Sequence, residues 1–291
     1  MGVSEQNEVK DCYDGVMANA ISTIALSWCS IENKDVITIA EALKTNTSVT
    51  EIHLQEDSLG AEAAVAIAEA LKSNTTVSVV NLQHNSIGAE GAIAIAEALK
   101  SNTTVSNIYL TNNSIGAEGA IAVAEALKSN TTVSNIYLGG NSIGAEGAIA
   151  EALKSNTTVS RIYLGGNSIR AEGAIAIAEA LKSNTTVSSI ILGNHMGNEG
   201  AIAIAEALKV NSTVDEIFLE NSSIGDKGAI AIADALKVNS RVAFIRLGSN
   251  SIGNEGAIAL AANSSVFSIR LENNCVDKDT QNSLQRSKLS F

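Results

Sequence analysis

Proline is absent from the 291 residues, aromatic side chains make up only 3% of them, and just three residues are cysteine. The sequence has no run of Lys or Arg and no apolar stretch long enough to span a membrane. Such a composition favours many copies of one small unit over a varied globular core. The cysteines Cys12, Cys29 and Cys275 are odd in number and far apart, so they predict neither a disulfide framework nor a zinc site. They favour a reducing, cytoplasmic location.

The formal charge of −12 disfavours a phosphate-backbone partner, because nucleic-acid binders usually carry a clustered basic face. The first twenty residues lack the basic start and apolar segment of a secretory signal. No phosphate-binding loop, nucleophile elbow, Cys-x-x-Cys pair or His-Glu-x-x-His motif is present. We therefore expect a non-enzymatic protein without a cofactor or metal, which binds neither nucleic acid nor a membrane.

What the sequence does contain is one repeated unit. Aligning the pattern apolar-x-x-Ile-x-Leu gives ten units, which begin at Ile21, Val49, Val77, Val105, Val133, Val159, Val187, Val214, Val242 and Val266. Most successive starts are 28 residues apart, as from Val105 to Val133. A period of this length is typical of stacked repeat proteins.

Each unit contains one predicted strand and one predicted helix. In residues 105–110, apolar side chains at places one, four and six can point inward, which indicates a strand. Residues 117–128 are rich in Ala, Glu, Ile and Leu, which favour a helix. Glu118 near the start of this helix and Lys128 near its end match the helix dipole.

One strand and one helix of this size cannot bury their apolar faces alone, so neighbouring units must stack. We expect an α/β solenoid, a curved horseshoe with a concave parallel sheet and helices on the convex side. Its predicted organisation is an N-terminal capping segment over 1–20, nine repeats over 21–265, and a tenth, C-terminal capping repeat over 266–291.

The unit resembles leucine-rich repeats of the ribonuclease-inhibitor type, especially those of NOD-like receptors. The resemblance rests on the pattern L-x-x-N-x-I-G-x-E-G-A, as in Leu138, Asn141, Ile143, Gly144 and Glu146. It implies a buried asparagine ladder that hydrogen-bonds the backbone of adjacent turns. The residues implied are Asn85, Asn113, Asn141, Asn167, Asn194, Asn250 and Asn274. Cys29, Asp57 and Ser222 stand at the same place in other units, and the last two are departures from the pattern.

Two units are shorter than the rest. The unit that begins at Val133 lacks two helix residues, which would rotate the residues that follow by about 200° at 100° per residue. We expect a shortened or distorted helix near Ile149. The unit that begins at Val242 lacks four, close to one whole turn, so its apolar face can stay aligned.

The candidate binding surface is the concave side of the sheet. Place five of each strand faces this side and carries large or charged residues in most units. Tyr and Arg often carry interface energy, and adjacent strands would bring such side chains roughly 5 Å apart. The predicted partner-binding residues are His53, Tyr109, Tyr137, Arg161, Tyr163, Ile191, Phe218, Arg246 and Arg270. Trp28 and Phe244 are further anchors if exposed. Alternatively, duplication copies the tyrosines, and their stacking only stabilises the sheet.

A second apolar row is predicted on the helices. Ile95 and Leu99 mark the inward helix face, whereas Ile93 lies about 200° away from Ile95. Matching residues are Ile37, Val65, Ile121, Ile175, Ile202, Ile230 and Ile258. Lateral packing between helices is one explanation of this row, and self-association is the other.

The leading functional hypothesis is a non-enzymatic scaffold that binds a protein partner through the concave sheet. Three alternatives stay open. The repeat type also resembles the GTPase activator of Ran, which suggests a regulator of a small GTPase. It equally suits the sensor module of an immune-type receptor. The close similarity of the repeats also allows a designed origin.

Overall fold

The computed structural model describes residues 3–144, 147–193, 195–263, 265–284 and 287–291, and of residues 3–5 only the backbone. The chain divides into two compact units, Met1–Ser142 and Ile143–Phe291. Each unit is described by itself.

The first unit begins with a helix and then alternates strand and helix. Its elements are α1 Val3–Met17, β1 Thr23–Ala25, α2 Asn33–Leu43, β2 Glu51–His53, α3 Ala61–Leu71, β3 Val79–Asn81, α4 Gly88–Leu99, β4 Asn107–Tyr109, α5 Gly116–Ser129 and β5 Asn135–Tyr137. Strands β1 to β5 pair in chain order, all parallel. The pairing joins equivalent residues of successive repeats, as where Ile108 lies opposite Ile136.

The second unit follows the same plan. Its elements are α6 Ala148–Ser155, β6 Arg161–Tyr163, α7 Arg170–Ser183, β7 Ser189–Ile191, α8 Gly197–Leu208, β8 Glu216–Phe218, α9 Asp226–Leu236, β9 Phe244–Arg246, α10 Asn254–Ala261, β10 Ser268–Arg270, α11 Lys278–Ser283 and β11 Leu289–Ser290. Strands β6 to β11 are parallel and pair in chain order. The predicted α/β solenoid architecture is confirmed in each unit.

The core consists of the aliphatic side chains that the period predicted. Val105, Ile108 and Leu110, at places one, four and six, are fully buried, and Ile95 and Leu99 are buried on the inward face of α4. The strands are shorter than predicted, with three residues in β4 instead of six. Hydrogen bonding nevertheless continues past the strand, since Leu110 N–H donates to Tyr137 O at 2.8 Å.

The two short repeats have short helices, as predicted. Helix α6 begins only at Ala148 and has eight residues, and α10 also has eight, whereas α5 has 14. In α6, Ile149 and Leu153 are buried. The shorter chain segments are therefore absorbed by the helices, while the strands keep their length.

The implied asparagine ladder is present, and we call it the loop ladder. Asn113 is typical: its Nδ2 donates to Leu82 O at 2.7 Å and to Leu110 O at 3.1 Å. In the next repeat, Asn141 Oδ1 accepts from Asn113 N–H at 2.8 Å. The described members are Asn85, Asn113, Asn141, Asn167, Asn250 and Asn274. Asn194 lies outside the described residues.

A second ladder, which the sequence analysis did not find, lies at the opposite end of the strands. In the Ser-Asn-Thr-Thr turn, Asn102 Oδ1 accepts from Thr104 N–H and Val105 N–H, and its Nδ2 donates to Leu71 O at 2.8 Å. Leu71 ends α3, where helix carbonyls lack intrahelical partners. This turn ladder comprises Asn46, Asn74, Asn102, Asn130, Asn156, Asn184, Asn211 and Asn239, all buried.

Asp57 is the departure that changes the chemistry of the loop ladder. The side chain is buried, and neither carboxylate oxygen has a hydrogen-bond partner among the described residues. Burial is the main cause that raises its pKa above the usual value. Ser222 and Asp57 both keep the backbone contact of the ladder, since Ser222 N–H donates to Asn250 Oδ1 at 3.0 Å and Asp57 N–H donates to Asn85 Oδ1 at 3.2 Å. They differ in the side chain, because Ser222 Oγ donates to Glu220 O at 3.2 Å.

We expect Asp57→Asn to stabilise the protein at pH 7. The new Nδ2 would donate to Leu26 O, as Asn85 Nδ2 donates to Leu54 O at 2.7 Å, and a gain of about 1 kcal/mol is typical of one such bond. Folding raises the Asp57 pKa. The wild type is therefore destabilised when the pH is above that pKa, and it regains this stability as the pH falls toward the Asp pKa of the unfolded state, about 3.9. Urea midpoints at pH 7 and pH 4 should therefore show a larger advantage for the variant at pH 7. Equal advantages at both pH values would contradict this account.

Candidate functional site

The candidate site begins with the alternation of side chains along each strand. The middle residue of a strand points into the core, so the residues on either side of it point outward. In β4, Ile108 is fully buried, whereas Asn107 and Tyr109 are half-buried. Places three and five therefore lie on the outer face of the sheet, as the sequence predicted, although Ser189 at place three of β7 is buried there.

In the first unit this face carries stacked aromatic and amide side chains. The rings of Tyr109 and Tyr137 stack with centroids 4.4 Å apart and an interplanar angle of 13°. Beside them, Asn135 Nδ2 donates to Asn107 Oδ1. The rings lie face to face along the sheet, so each ring covers one face of the other. Their edges point to solvent.

His53 lies on the same face but not beside the tyrosines. In register it is opposite Asn81, and Asn81 is in turn opposite Tyr109. The His53 Nε2 atom lies 3.0 Å from Glu51 Oε2. The predicted stripe in this unit is thus interrupted by one polar strand position.

In the second unit the strand register aligns the remaining predicted place-five residues. Tyr163 lies opposite Ile191, Ile191 opposite Phe218, Phe218 opposite Arg246, and Arg246 opposite Arg270. The structure brings these five residues into one row, as the spacing predicted. Whether the row binds a partner stays a prediction at this point.

At the end of that row lies a concave pocket, which we call the Phe–Arg pocket. It is lined by Phe218, Phe244, Arg246, Phe267 and Arg270, together with Glu216, and has a volume of about 320 Å³. Phe244 and Phe267 are 40% and 72% exposed. Their rings meet edge to face with centroids 5.3 Å apart. Two large apolar side chains are therefore held together in solvent contact.

Phe267 was missed by the sequence analysis, although a signal was present. It occupies place two, where five units in succession, from Ser78 to Ser188, carry serine. The candidate residues were chosen at places three and five, so this change from serine to phenylalanine at place two was missed. Phe244 at place three was named as an anchor if exposed, and it is exposed.

The arginines of this face differ in how they are held. The Arg246 guanidinium lies 4.5 Å from the Phe218 ring centroid and 4.0 Å from Glu220 Oε1. Arg161 approaches Glu216 at 3.9 Å. Arg270 is exposed and has no ion pair or hydrogen bond from its side chain within the described ranges. Among the described residues of this face, Arg270 is thus a guanidinium without an ion pair.

The predicted helix row and Trp28 are also solvent-exposed. Ile37, Ile93, Ile121, Ile175, Ile202 and Ile258 are between 38% and 54% exposed, while Val65 and Ile230 are half-buried. Trp28 is 71% exposed. Self-association through the helix row stays a prediction.

Signs of catalytic or metal chemistry are few. In the part of the chain that the structure describes, no group of three His, Cys, Asp or Glu residues could hold a metal ion. Burial raises the pKa of the Cys12 thiol to about 11, so this thiol is protonated at neutral pH. No helix in the same described part is long and apolar enough to cross a membrane.

Comparison with known families decides what the repeat is. The family model described as Leucine Rich repeat matches residues 73–96, 101–124, 155–178, 184–205 and 244–261. These five segments of the chain are leucine-rich repeats. No curated protein matches the sequence significantly.

Solved structures provide further likenesses to these leucine-rich repeats. A chain of the Rad7–Elc1 complex from yeast is 13% identical with a TM-score of 0.64, covering 96% of this chain and 71% of that one. Leiomodin-1 actin-binding site 2 is 29% identical with a TM-score of 0.42, covering 43% and 76%. The tropomodulin C-terminal domain of Caenorhabditis elegans is 12% identical with a TM-score of 0.43, covering 60% and 92%. The likeness to the Rad7–Elc1 chain concerns the fold.

Proposed function

We propose that this protein is a non-enzymatic interaction scaffold that binds a protein partner through the solvent face of its leucine-rich-repeat sheet. The observation that carries the proposal is the series of aromatic and arginine side chains at outward strand positions, with Phe244 and Phe267 exposed to solvent. Large exposed apolar side chains beside arginine are typical of interfaces. The unit of one strand and one helix in 28 residues further supports the ribonuclease-inhibitor type of repeat.

A cytoplasmic setting agrees with this proposal. Cys12, Cys29 and Cys275 are not joined in disulfides. The turn-ladder asparagines stand in Asn-x-Ser/Thr triplets, for example Asn102-Thr103-Thr104, yet their side chains are buried and hydrogen-bonded. A glycan on such a nitrogen would prevent the ladder from forming. The sequence therefore suits a compartment without N-glycosylation.

The proposal predicts that partner binding depends on the strand face and not on the helix face. One variant replaces Tyr109, Tyr137 and Tyr163 by alanine, and a second replaces Phe267. The matched control replaces Ile93, Ile121 and Ile175, which are apolar and exposed but lie on helices. Affinity purification with quantitative mass spectrometry should recover a protein that at least one strand-face variant loses and the control retains.

The folded state of each variant is checked by circular dichroism before binding is compared. A recovered partner that is lost only with the helix-face control would overturn the proposal, as would the absence of any partner enriched over an unrelated protein. If only the tyrosine variant loses the partner, the contact lies at Tyr109, Tyr137 or Tyr163. If only Phe267→Ala loses it, the contact lies at the Phe–Arg pocket.

A further inference from the structure

We propose that the Phe–Arg pocket binds an extended peptide segment in which a large apolar side chain stands next to one Asp or Glu. This inference rests on the proposed function and names the chemistry of the partner at one end of the sheet. It follows from three features of the pocket: its apolar walls, its unbalanced positive charge and its departure from the repeated sequence.

The walls of the pocket are suited to an apolar side chain. Phe244 and Phe267 meet edge to face at 5.3 Å, and the Phe218 ring is covered by the Arg246 guanidinium at 4.5 Å. The arginine thereby holds one ring in place while its own edge stays available for hydrogen bonding. An apolar side chain packed against the exposed surfaces of Phe244 and Phe267 would cover apolar surface that is now in water, which is favourable.

The charge of the pocket favours a carboxylate on the bound peptide. Arg246 and Arg270 lie opposite each other on paired strands, roughly 4.8 Å apart at the backbone, so their like charges repel. Arg246 has Glu220 at 4.0 Å, whereas Arg270 has no ion pair among the described residues. A carboxylate placed against Arg270 would balance this charge, and guanidinium groups bind carboxylates through two parallel hydrogen bonds.

The surroundings argue against a polyanion such as RNA. Glu216 lines the same pocket, Glu220 lies beside Arg246, and the whole chain has a formal charge of −12. A chain of phosphates would meet these carboxylates, whereas a single acidic side chain beside an apolar one would meet only Arg270. The charge pattern therefore favours a peptide with a local acidic group.

The pocket is not a by-product of repeat duplication. At places two, three and five, the repeats of β4 and β5 both carry Ser, Asn and Tyr. Phe267 stands at place two, Phe244 at place three, and Arg246 and Arg270 at place five. Duplication alone would have kept Ser, Asn and Tyr at these places. Four positions that differ from this pattern therefore line the same cavity.

The test uses the full-length protein and a displayed library of short random peptides. Selection on the wild type should enrich peptides that have Asp or Glu within two positions of Phe, Leu, Ile, Met or Trp. Synthetic copies of these peptides should bind wild type in fluorescence anisotropy. Phe267→Ala and Arg270→Glu should each weaken binding by about tenfold or more, as expected when an anchor side chain or its charge partner is lost.

Matched controls distinguish peptide binding at the pocket from nonspecific apolar and electrostatic binding. Val210→Ala shortens another exposed apolar side chain, 64% exposed, and Arg170→Glu reverses another exposed arginine on α7. Both should leave peptide affinity unchanged. Phe267 is 72% exposed, so its replacement should not unfold the protein.

Three outcomes would overturn the inference: no enriched peptides, enriched peptides without an acidic residue beside an apolar one, or affinities that Phe267→Ala and Arg270→Glu do not change. These outcomes leave the proposed function standing if a protein partner still depends on the strand face. If the helix-face control alone abolishes partner binding while peptides still require the pocket, the proposed function fails and the peptide site remains.

Discussion

Replacing Asn102 by alanine should lower the free energy of unfolding of the first unit by about 3 kcal/mol. The change removes the acceptor of two N–H groups, the part-buried one of Thr104 and the buried one of Val105, and the donor to the carbonyls of Leu71 and Asn74. Each buried polar group left without a partner costs about 1–3 kcal/mol, and water can reach only some of them. Chemical denaturation followed by circular dichroism measures the effect, and amide hydrogen exchange at Val105 should accelerate.

The control for this prediction is Thr103→Ala in the same turn. Thr103 is exposed, and surface substitutions of this kind usually change stability by about 0.5 kcal/mol or less. If both variants unfold at the wild-type midpoint, the turn ladder does not contribute as the hydrogen bonds suggest. If both are equally destabilised, the effect belongs to the turn backbone and not to the Asn side chain.

Replacing Gly119 by alanine should destabilise the same unit by about 1–2 kcal/mol, although alanine favours helices by about 1 kcal/mol over glycine. A Cβ atom at this position would lie 2.3 Å from Ile115 Cγ2 and 2.9 Å from Ala92 Cβ. Ile115 is fully buried, so it cannot turn away into solvent. Overpacking of this kind usually costs about 1–3 kcal/mol, which outweighs the gain in helix propensity.

Gly147→Ala is the matched control, because Gly147 holds the same place in its repeat. It precedes the shortened helix α6 instead of lying inside a helix. Among the described residues, a Cβ there would meet only Ala176 Cβ, at an ordinary 3.7 Å. We expect a change of about 0.5 kcal/mol or less. A Gly119→Ala variant as stable as wild type in thermal and urea unfolding would show that α4 and α5 can separate at little cost.

Much of the fold follows from the sequence because the repeated pattern fixes the position of each side chain. Ile108 at place four and Leu99 on the inward helix face are buried as predicted. The turn ladder was not predicted, because the letters of a Ser-Asn-Thr-Thr turn do not show where Asn102 Nδ2 points. Its acceptor, Leu71 O, lies 31 residues earlier in the chain, and only the stacked structure brings the two atoms together.

The candidate site was predictable in its position but less so in its contacts. The row from Tyr163 to Arg270 follows from counting along the strands, and the register confirms it. The placement of Arg246 over Phe218 depends on side-chain torsions that a sequence pattern does not specify. Phe267 was recognisable only against the serine that precedes it in earlier units, a comparison between repeats at place two.

The two eight-residue helices have a consequence for how the chain assembles. Where repeats carry nearly the same side chains at their contacts, as around α4 and α5, a chain that skipped one of them could bury almost the same apolar surface. Helices α6 and α10 are too short to take the place of a full-length neighbour. Their repeats therefore cannot be exchanged with the others when the chain folds. Kinetically trapped molecules with one repeat looped out should therefore be concentrated among the repeats of equal length.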